Sequence, residues 1–178
     1  MKKMQRQTQT KEAIKSAFIQ LLQEKGFDAV TVSDLSRYAK VNRGTFYLHY
    51  VDKFDLVDQL VQEVFEAIWV HLELIDTNFP METMILIFDN LKDNFQFIQV
   101  LSQRRFDYVN ALLRQFLTAL IEKLAPIQHR LDHHPTLPPD YAKEVFLSSN
   151  AGIIFHWLSK GGVESSKEIA QIFMANNM

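Results

Sequence analysis

Residues 31–53 combine two short helical patterns with a tight turn, and this segment constrains the fold more than any other. A threonine followed three residues later by an aspartate has the spacing of a capping box, which predicts a helix over residues 32–38. Residues 39–41 are the predicted turn, and the asparagine that follows can cap a second helix over residues 43–49. Two short helices joined in this way are typical of a helix-turn-helix unit.

The second helix has an inward face and an outward face. Phe46 and Tyr50 lie four residues apart, so they share one side and are predicted to pack on the first helix. The other side is predicted to expose a cation, a small residue, a hydroxyl group, an aromatic ring and an aliphatic side chain: Arg43, Gly44, Thr45, Tyr47 and Leu48. A short helix with this outer surface suits the major groove of DNA.

The string VNRGTFYLHYVDKFDL closely resembles the signature of the TetR family of transcriptional regulators, in which a turn leads into a recognition helix and a lysine opens the next helix. The positions that match the signature are Thr45, Phe46, Tyr47, His49, Tyr50 and Lys53. The chain departs from the family at Lys40, where a glycine is common, and a positive φ there would cost a non-glycine residue about 1 kcal/mol. The resemblance covers about the first third of the chain and implies a DNA-binding head.

Composition favours an all-α protein. Glycine and proline number five each among 178 residues, and strand-like alternation is scarce, so we predict about nine helices. The absence of cysteine excludes disulfides and thiolate catalysis and suits the reducing cytoplasm, which is the predicted location. No apolar run of about 18 residues occurs, so no membrane span is expected.

Charge is distributed unevenly along the chain. Residues 1–55 carry ten Lys/Arg and six Asp/Glu, a net charge of +4, whereas residues 56–178 carry nine and fifteen, a net charge of −6. The first third is therefore the part expected to face a polyanion. Together with the resemblance, this predicts a helix-turn-helix DNA-binding domain over residues 1–52 and a larger helical domain for ligand binding and dimerisation over residues 53–178.

Helical periodicity predicts the remaining elements. The first helix is expected over residues 10–25, with Gly26 as its stop, after a basic arm (residues 1–8) that is either disordered or contacts DNA. A long helix over residues 53–76, which by resemblance reports ligand binding to the head, precedes a break at residues 78–80. Later helices are expected over residues 81–93, 95–103, 107–131 (kinked or split at Pro126), 141–159 and from 165 onward.

Resemblance and side-chain chemistry together assign the DNA contacts. Ser33, Arg43, Gly44 and Tyr47 are candidates for base edges, and Arg43 can donate two hydrogen bonds to a guanine. Tyr47 could instead hold a phosphate, cover a thymine methyl group or pack on the surface. Thr45, His49 and Lys53 are candidates for phosphate contacts, and the alternative for His49 is a hydrogen bond at the edge of the core. The capping residues Thr31 and Asn42 complete the predicted set.

The second domain is rich in aromatic residues, and the resemblance implies a pocket there for a small apolar effector. Its candidate lining residues are Phe65, Trp69, Phe88, Phe95, Phe106, Phe116 and His156. An aromatic stripe at helical spacing is, however, more often plain core than a set of ligand contacts.

The segment AGIIFHWLSKGGVESSKEIAQIF resembles the C-terminal end of a TetR subgroup, in which the last two helices pair with their twofold mates. The predicted dimer surface consists of Val145, Ser149, Gly152, Ile153, Trp157, Ile169, Ile172 and Phe173. A dimer also suits the chemistry, because one short recognition helix contacts few base pairs and two heads double the specificity. The alternative is that both helices are ordinary core of a monomer.

No catalytic motif is found, so neither an enzyme nor a cofactor is predicted. His129, Asp132, His133 and His134 could form a metal cluster, but adjacent histidines in a proline-rich loop lack helical pair spacing, and no metal site is predicted. The predicted function is a repressor that a small molecule releases from a palindromic operator in double-stranded DNA. The alternatives are an activator of the same family and a protein-interaction module with a degenerate helix-turn-helix.

Overall fold

The computed structural model describes residues 2–73 and 81–177, except for the side chains of residues 2–7 and 71–73. The predicted break at residues 78–80 and the arm side chains Lys2, Lys3 and Arg6 lie outside the described residues. Within the described part the chain forms ten α-helices and no strands. They are α1 (Lys2–Ala29), α2 (Val32–Tyr38), α3 (Arg43–Tyr47), α4 (Lys53–Glu73), α5 (Met81–Asp93), α6 (Phe95–Arg104), α7 (Phe106–Lys123), α8 (Ala125–Asp132), α9 (Pro139–Ser159) and α10 (Ser166–Asn176).

The all-α prediction is confirmed, and the tenth helix arises from a division near Pro126. The helix predicted over residues 107–131 ends at Lys123, and Leu124 adopts an extended conformation with φ −103° and ψ 91°. Pro126 then lies in the first turn of α8, where a backbone N–H group would have no acceptor within the helix, so its absence in proline costs no hydrogen bond. None of the ten helices, over the residues described, is long and apolar enough to cross a membrane.

The first helix begins earlier than predicted, and it is interrupted at the predicted glycine before it ends at Ala29. Within the described residues the backbone is helical from Lys2, eight residues before the predicted start; the segment is rich in lysine, glutamine and methionine, which favour helix. Gly26 has φ +75° and ψ 164°, a conformation open almost only to glycine, and it interrupts the helix as predicted.

The chain divides into two compact units, residues 1–66 and 67–178, so α4 contributes to both. The predicted domain boundary between residues 52 and 53 falls at the start of α4 and stays a prediction.

In the first unit, α1, α2, α3 and the start of α4 pack around one apolar core. Phe18, Leu22, Leu35, Phe46 and Leu56 have no exposed surface there. Tyr50 is buried beside Phe46, with ring centres 5.5 Å apart, which confirms that these two side chains face inward. This core holds the two helices of the predicted motif against α1 and α4.

The second unit is organised around Trp157 on α9, which is 1% exposed. The Trp157 ring makes T-shaped contacts with Phe88 and Phe95, at centroid distances of 5.7 and 5.2 Å. Phe173 of α10 packs on Phe88 at 5.9 Å. An aromatic core therefore joins α5, α6, α9 and α10.

Candidate DNA-binding surface

The first helix of the motif begins with the predicted capping box. The Thr31 hydroxyl oxygen accepts a hydrogen bond from the backbone N–H of Asp34 at 3.2 Å, and the Asp34 carboxylate accepts one from the backbone N–H of Thr31 at 3.1 Å. Lys25 and Arg37 add ion pairs to the same carboxylate at 2.6 and 3.0 Å. Hydrogen bonds from Lys25 and then Thr31 lower the pKa of Asp34 to about 2. This network fixes the start of α2.

The turn between the helices is a Schellman motif centred on Lys40. Lys40 has φ +55°, the left-handed conformation that glycine adopts most easily. Its N–H donates to the carbonyl of Arg37 at 3.2 Å, and the N–H of Val41 donates to Ser36 at 2.9 Å. The turn therefore keeps the geometry of a glycine turn although a lysine occupies it.

The second helix of the motif, α3, is short and capped at its start. The Asn42 side-chain oxygen accepts hydrogen bonds from the backbone N–H of Thr45 at 2.6 Å and from its hydroxyl at 2.9 Å. The helix ends at Tyr47, two residues before the predicted end at His49. Phe46 is its one buried residue.

The outward face of α3 presents the predicted base-contacting residues. Arg43 and Gly44 are exposed, and Arg43 has no hydrogen bond or ion pair with any described residue. Tyr47 is 51% exposed, with its ring held edge-on to Phe46 at 5.6 Å. Ser33, at the start of α2, is exposed as well. A cation and an oriented phenol thus face outward from one short helix.

Two of the three predicted phosphate contacts, Thr45 and Lys53, have side-chain hydrogen bonds within the protein, and His49 has one through its backbone. The Thr45 hydroxyl donates to Asn42, as described above. His49 is half-buried, and its backbone carbonyl accepts a hydrogen bond from Gln59 at 3.3 Å. Lys53 donates to the backbone carbonyls of residues 27 and 28, both at 2.9 Å, which leaves one of its three N–H donors for another partner. Their phosphate roles stay predictions.

Sequence reasoning missed several residues beside α3. Val51 is 78% exposed, whereas the outward position of Leu48, which is 82% exposed, was predicted. Asp55 and Gln59 on α4 hold the loop after α3 by side-chain bonds to its backbone. Their spacing of four residues gives a side-chain pair on one helix face, but no sequence signal connects that pair to the loop.

The predicted pocket residues fall into separate groups. Phe88 and Phe95 belong to the aromatic core around Trp157. Trp69 and Phe116 are half-buried and pair at 5.3 Å, and the 53% exposed Phe106 packs on Phe155 at 4.6 Å. Phe65 lies half-buried in the first unit, and His156 is exposed on α9. A shared effector pocket stays a prediction.

The predicted dimer surface is smaller than expected. Trp157, Ile169 and Phe173 are 1%, 2% and 5% exposed in the protomer, so their side chains form its own core and have little area left for a partner. This corrects the prediction for these three residues; a helical stripe does not reveal which side of it is already covered. The remaining candidates are exposed or half-buried: Val145, Ser149, Gly152, Ile153 and Ile172.

The histidines near residue 130 include a helical pair. His129 is on α8, and its ring stacks on that of His133 with a centroid distance of 4.3 Å. Within the described residues, no three His, Cys, Asp or Glu side chains converge as metal ligands would.

Two family models match the chain. Residues 14–60 match the family described as bacterial regulatory proteins, tetR family, which includes both helices of the motif and the start of α4. Residues 79–176, more than half of the chain, match the family described as transcriptional regulator C-terminal region.

Individual proteins show the same likeness. The uncharacterized HTH-type transcriptional regulator YxbF of Bacillus subtilis is 24% identical over 170 residues, which are 89% of this chain and 42% of YxbF. The HTH-type transcriptional repressor BepR of Brucella suis is 28% identical over 119 residues, 66% of this chain and 44% of BepR. The chain thus spans less than half the length of these two relatives. A TetR transcriptional regulator from Streptococcus agalactiae has a crystal structure with a TM-score of 0.67 and 27% identity, covering 98% of this chain and 97% of that one.

Proposed function

Because the chain belongs to the TetR family of transcriptional regulators, we propose that it binds a palindromic DNA operator sequence-specifically as a homodimer. It represses transcription until a small apolar effector releases it, and it acts in the cytoplasm, where bacterial operators are found. It has no catalytic role of its own.

The outward face of α3 is the observation that carries this proposal. Arg43 is exposed without a partner among the described residues, and Tyr47 is half exposed with a fixed ring. An arginine can donate two hydrogen bonds to a guanine, and a phenol can contact a phosphate or a thymine methyl group. The net charge of +4 over residues 1–55 favours the phosphate backbone of DNA.

The homodimer is proposed from α9 and α10. Val145 and Ile172 are 55% and 46% exposed, and Gly152 offers a position where a second helix can approach closely. Because α3 is only five residues long, one head contacts few base pairs, and two heads on related half-sites give the specificity that a genome requires.

Release by an effector is proposed from the half-buried aromatic pair. Trp69 and Phe116 keep apolar surface that a small apolar molecule could cover. Effector binding would favour a spacing of the two heads that no longer fits the operator, and the shift is limited by the difference in effector affinity between the two states. Repression is preferred to activation because the Brucella relative is a named repressor.

The two alternative functions are an activator and a protein-interaction module, and selection of genomic fragments by the purified full chain followed by a reporter assay distinguishes them from a repressor. A repressor or an activator enriches a palindromic site, and a reporter gene behind that site shows which of the two it is. A protein-interaction module with a degenerate helix-turn-helix enriches none, with or without candidate effectors.

The selected fragment is then titrated at several salt concentrations. A dimeric DNA binder loses affinity steeply with salt, with a slope that reflects the number of phosphate contacts. Tyr47→Ala should weaken operator binding by roughly tenfold or more, the scale of one lost base contact, while the dimer persists. Unchanged operator affinity in Tyr47→Ala would exclude the assignment of α3 as the recognition helix.

A further inference from the structure

The loop that follows α3 is held through its backbone by α4. The backbone carbonyl of His49 accepts a hydrogen bond from the Gln59 side-chain amide at 3.3 Å. Two residues later, the backbone N–H of Val51 donates to the Asp55 carboxylate at 2.7 Å. Neither backbone group has a partner within a regular helix, so these side chains supply the bonds that the loop requires.

The side chains of Asp55 and Gln59 are hydrogen-bonded to each other. They are four residues apart on α4, and the Gln59 amide nitrogen lies 3.1 Å from both carboxylate oxygens of Asp55. A continuous chain of hydrogen bonds therefore runs from Val51 through Asp55 and Gln59 to His49. Both side chains are half-buried, which limits the other positions that they can adopt.

The start of α4 is itself anchored. The Asp52 carboxylate accepts hydrogen bonds from the backbone N–H groups of Phe54 and Asp55 at 2.8 and 2.9 Å. Lys53 is bonded to the last turn of α1. Asp55 and Gln59 thus lie near a helix start that is bonded to the end of α1, just before the motif.

We propose that Gln59, oriented by Asp55, is a positioning residue for DNA recognition that sets the orientation of α3. A five-residue helix has little stability of its own, so its orientation depends on the packing of Phe46 in the core and on the contacts at its two ends. Asn42 supplies the contact at the start, and the bond from Gln59 to His49 supplies the one at the end. Gln59 itself touches no base or phosphate in this role, and the inference rests on the proposed DNA-binding function.

The test compares two near-isosteric substitutions in the full-length protein. Gln59→Met removes the amide donor and keeps the length and charge of the side chain. Gln62→Met is the matched control on the same helix, because Gln62 is exposed and its side chain bonds only to Glu66, at 3.0 Å, among the described residues. Each variant is titrated with the wild-type operator duplex and with a scrambled duplex, at several salt concentrations, and its thermal unfolding is recorded.

We expect Gln59→Met to raise the operator Kd about tenfold, the scale of one lost hydrogen bond with its partner left unpaired. The Kd for the scrambled duplex and the salt slope should stay as in the wild type, since no phosphate contact is removed. Gln62→Met should match the wild type throughout.

Three results would overturn the inference. One is an unchanged operator Kd in Gln59→Met. The second is an equal loss of affinity for the operator duplex and the scrambled duplex. The third is a lower melting temperature with an unchanged Kd for the active fraction, which would mean that Gln59 has a purely structural role. If the wild type itself does not distinguish the two duplexes, the proposed function fails, and this inference fails with it.

Discussion

The ammonium nitrogen of Lys53 lies 2.9 Å from the backbone carbonyl oxygen of Phe27, 26 residues earlier in the chain. The same nitrogen is 4.7 Å from the centre of the Phe27 ring and 2.9 Å from the carbonyl oxygen of Asp28. Carbonyl groups in the last turn of a helix lack the i+4 helical partner. The Phe27 carbonyl accepts instead from the backbone N–H of Val30 at 3.2 Å, and Lys53 is a second donor to it. Lys53 therefore joins the start of α4 to the end of α1.

Replacing Lys53 with methionine should lower the free energy of unfolding by about 1–3 kcal/mol, because hydrogen bonds from a charged donor contribute more than neutral ones. The methionine also loses the contact of the ammonium group with the Phe27 ring. Urea unfolding monitored by circular dichroism measures the change.

Arg43→Met is the control for this prediction, because Arg43 is exposed and has no partner among the described residues. It should keep the wild-type stability and lose operator affinity. If Lys53→Met were as stable as the wild type and only its salt slope fell, Lys53 would serve mainly as a phosphate contact.

The turn at Lys40 supplies a second prediction. With φ +55°, Lys40 has a left-handed backbone conformation, which costs a residue with a side chain about 1–2 kcal/mol. A glycine there avoids this strain, but it loses more conformational entropy on folding, which costs about 0.5–1 kcal/mol. Lys40→Gly should therefore stabilise the protein by up to about 1 kcal/mol. Ala39→Gly is the matched control, because Ala39 has φ −73° and should lose stability instead. Equal effects of the two substitutions in urea unfolding would contradict the account of the turn.

The local signals of the sequence predicted the motif well and its tertiary bonds poorly. The capping residues Thr31 and Asn42 and the stop at Gly26 depend on neighbours within a few residues, so spacing alone identified them. The bonds of Lys53 to Phe27 and of Gln59 to His49 join residues 26 and 10 apart, and no local pattern encodes them.

The difference between local and tertiary signals also explains why part of the dimer surface was predicted wrongly. Periodicity identified α9 and α10 as amphipathic, but Trp157 is covered by Phe88 and Phe95 from two other helices. Which face of α9 remains free depends on that packing, which a single sequence does not specify.

The capping network of α2 predicts a dependence of stability on pH. Hydrogen bonds from Lys25 and Thr31 lower the pKa of Asp34 to about 2, from an ordinary value of about 4. A lowered carboxyl pKa stabilises the fold above the ordinary value, and this contribution is lost as the pH falls from about 4 to about 2. The difference in unfolding free energy between the wild type and Asp34→Asn should therefore shrink across that window.

Lys25→Met tests the cause of that shift, because the hydrogen bond from Lys25 is the largest contribution to it. In this variant the stabilisation by the Asp34 carboxylate should be lost over a narrower range of pH, closer to the ordinary carboxyl pKa of about 4. A wild-type advantage over Asp34→Asn that stayed constant between pH 5 and 2 would contradict the prediction.

The glycine pair after α9 gives a prediction about packing. Gly161 and Gly162 have φ +83° and +63°, so alanine is strained at both positions. A Cβ atom at Gly162 would lie 2.4 Å from the Phe95 ring, which is packed on Trp157, whereas one at Gly161 would meet no atom within 4 Å. Gly162→Ala should therefore be less stable than Gly161→Ala by about 1–3 kcal/mol, the usual cost of overpacking. Equal melting temperatures of the two variants would show that Phe95 moves aside freely.

Gly152 allows the proposed dimer to be tested without disturbing the protomer. It lies within α9, is exposed, and has no atom within 4 Å of an added Cβ. Within a helix, replacing glycine with another residue usually gains a few tenths to about 1 kcal/mol, so the protomer should tolerate Gly152→Arg. If α9 packs closely on its twofold mate at this position, the arginine would be forced between the two helices.

Gly152→Arg should therefore be monomeric in sedimentation velocity at concentrations where the wild type is dimeric, with unchanged helical content. Its operator affinity should fall as well, because only one head would bind at a time. Gln115→Arg, an exposed position on α7, adds the same side chain outside the predicted surface and should remain dimeric. A Gly152→Arg protein with the wild-type dimer dissociation constant would place the interface on another face, because an arginine buried at a close helix contact without a partner is strongly disfavoured.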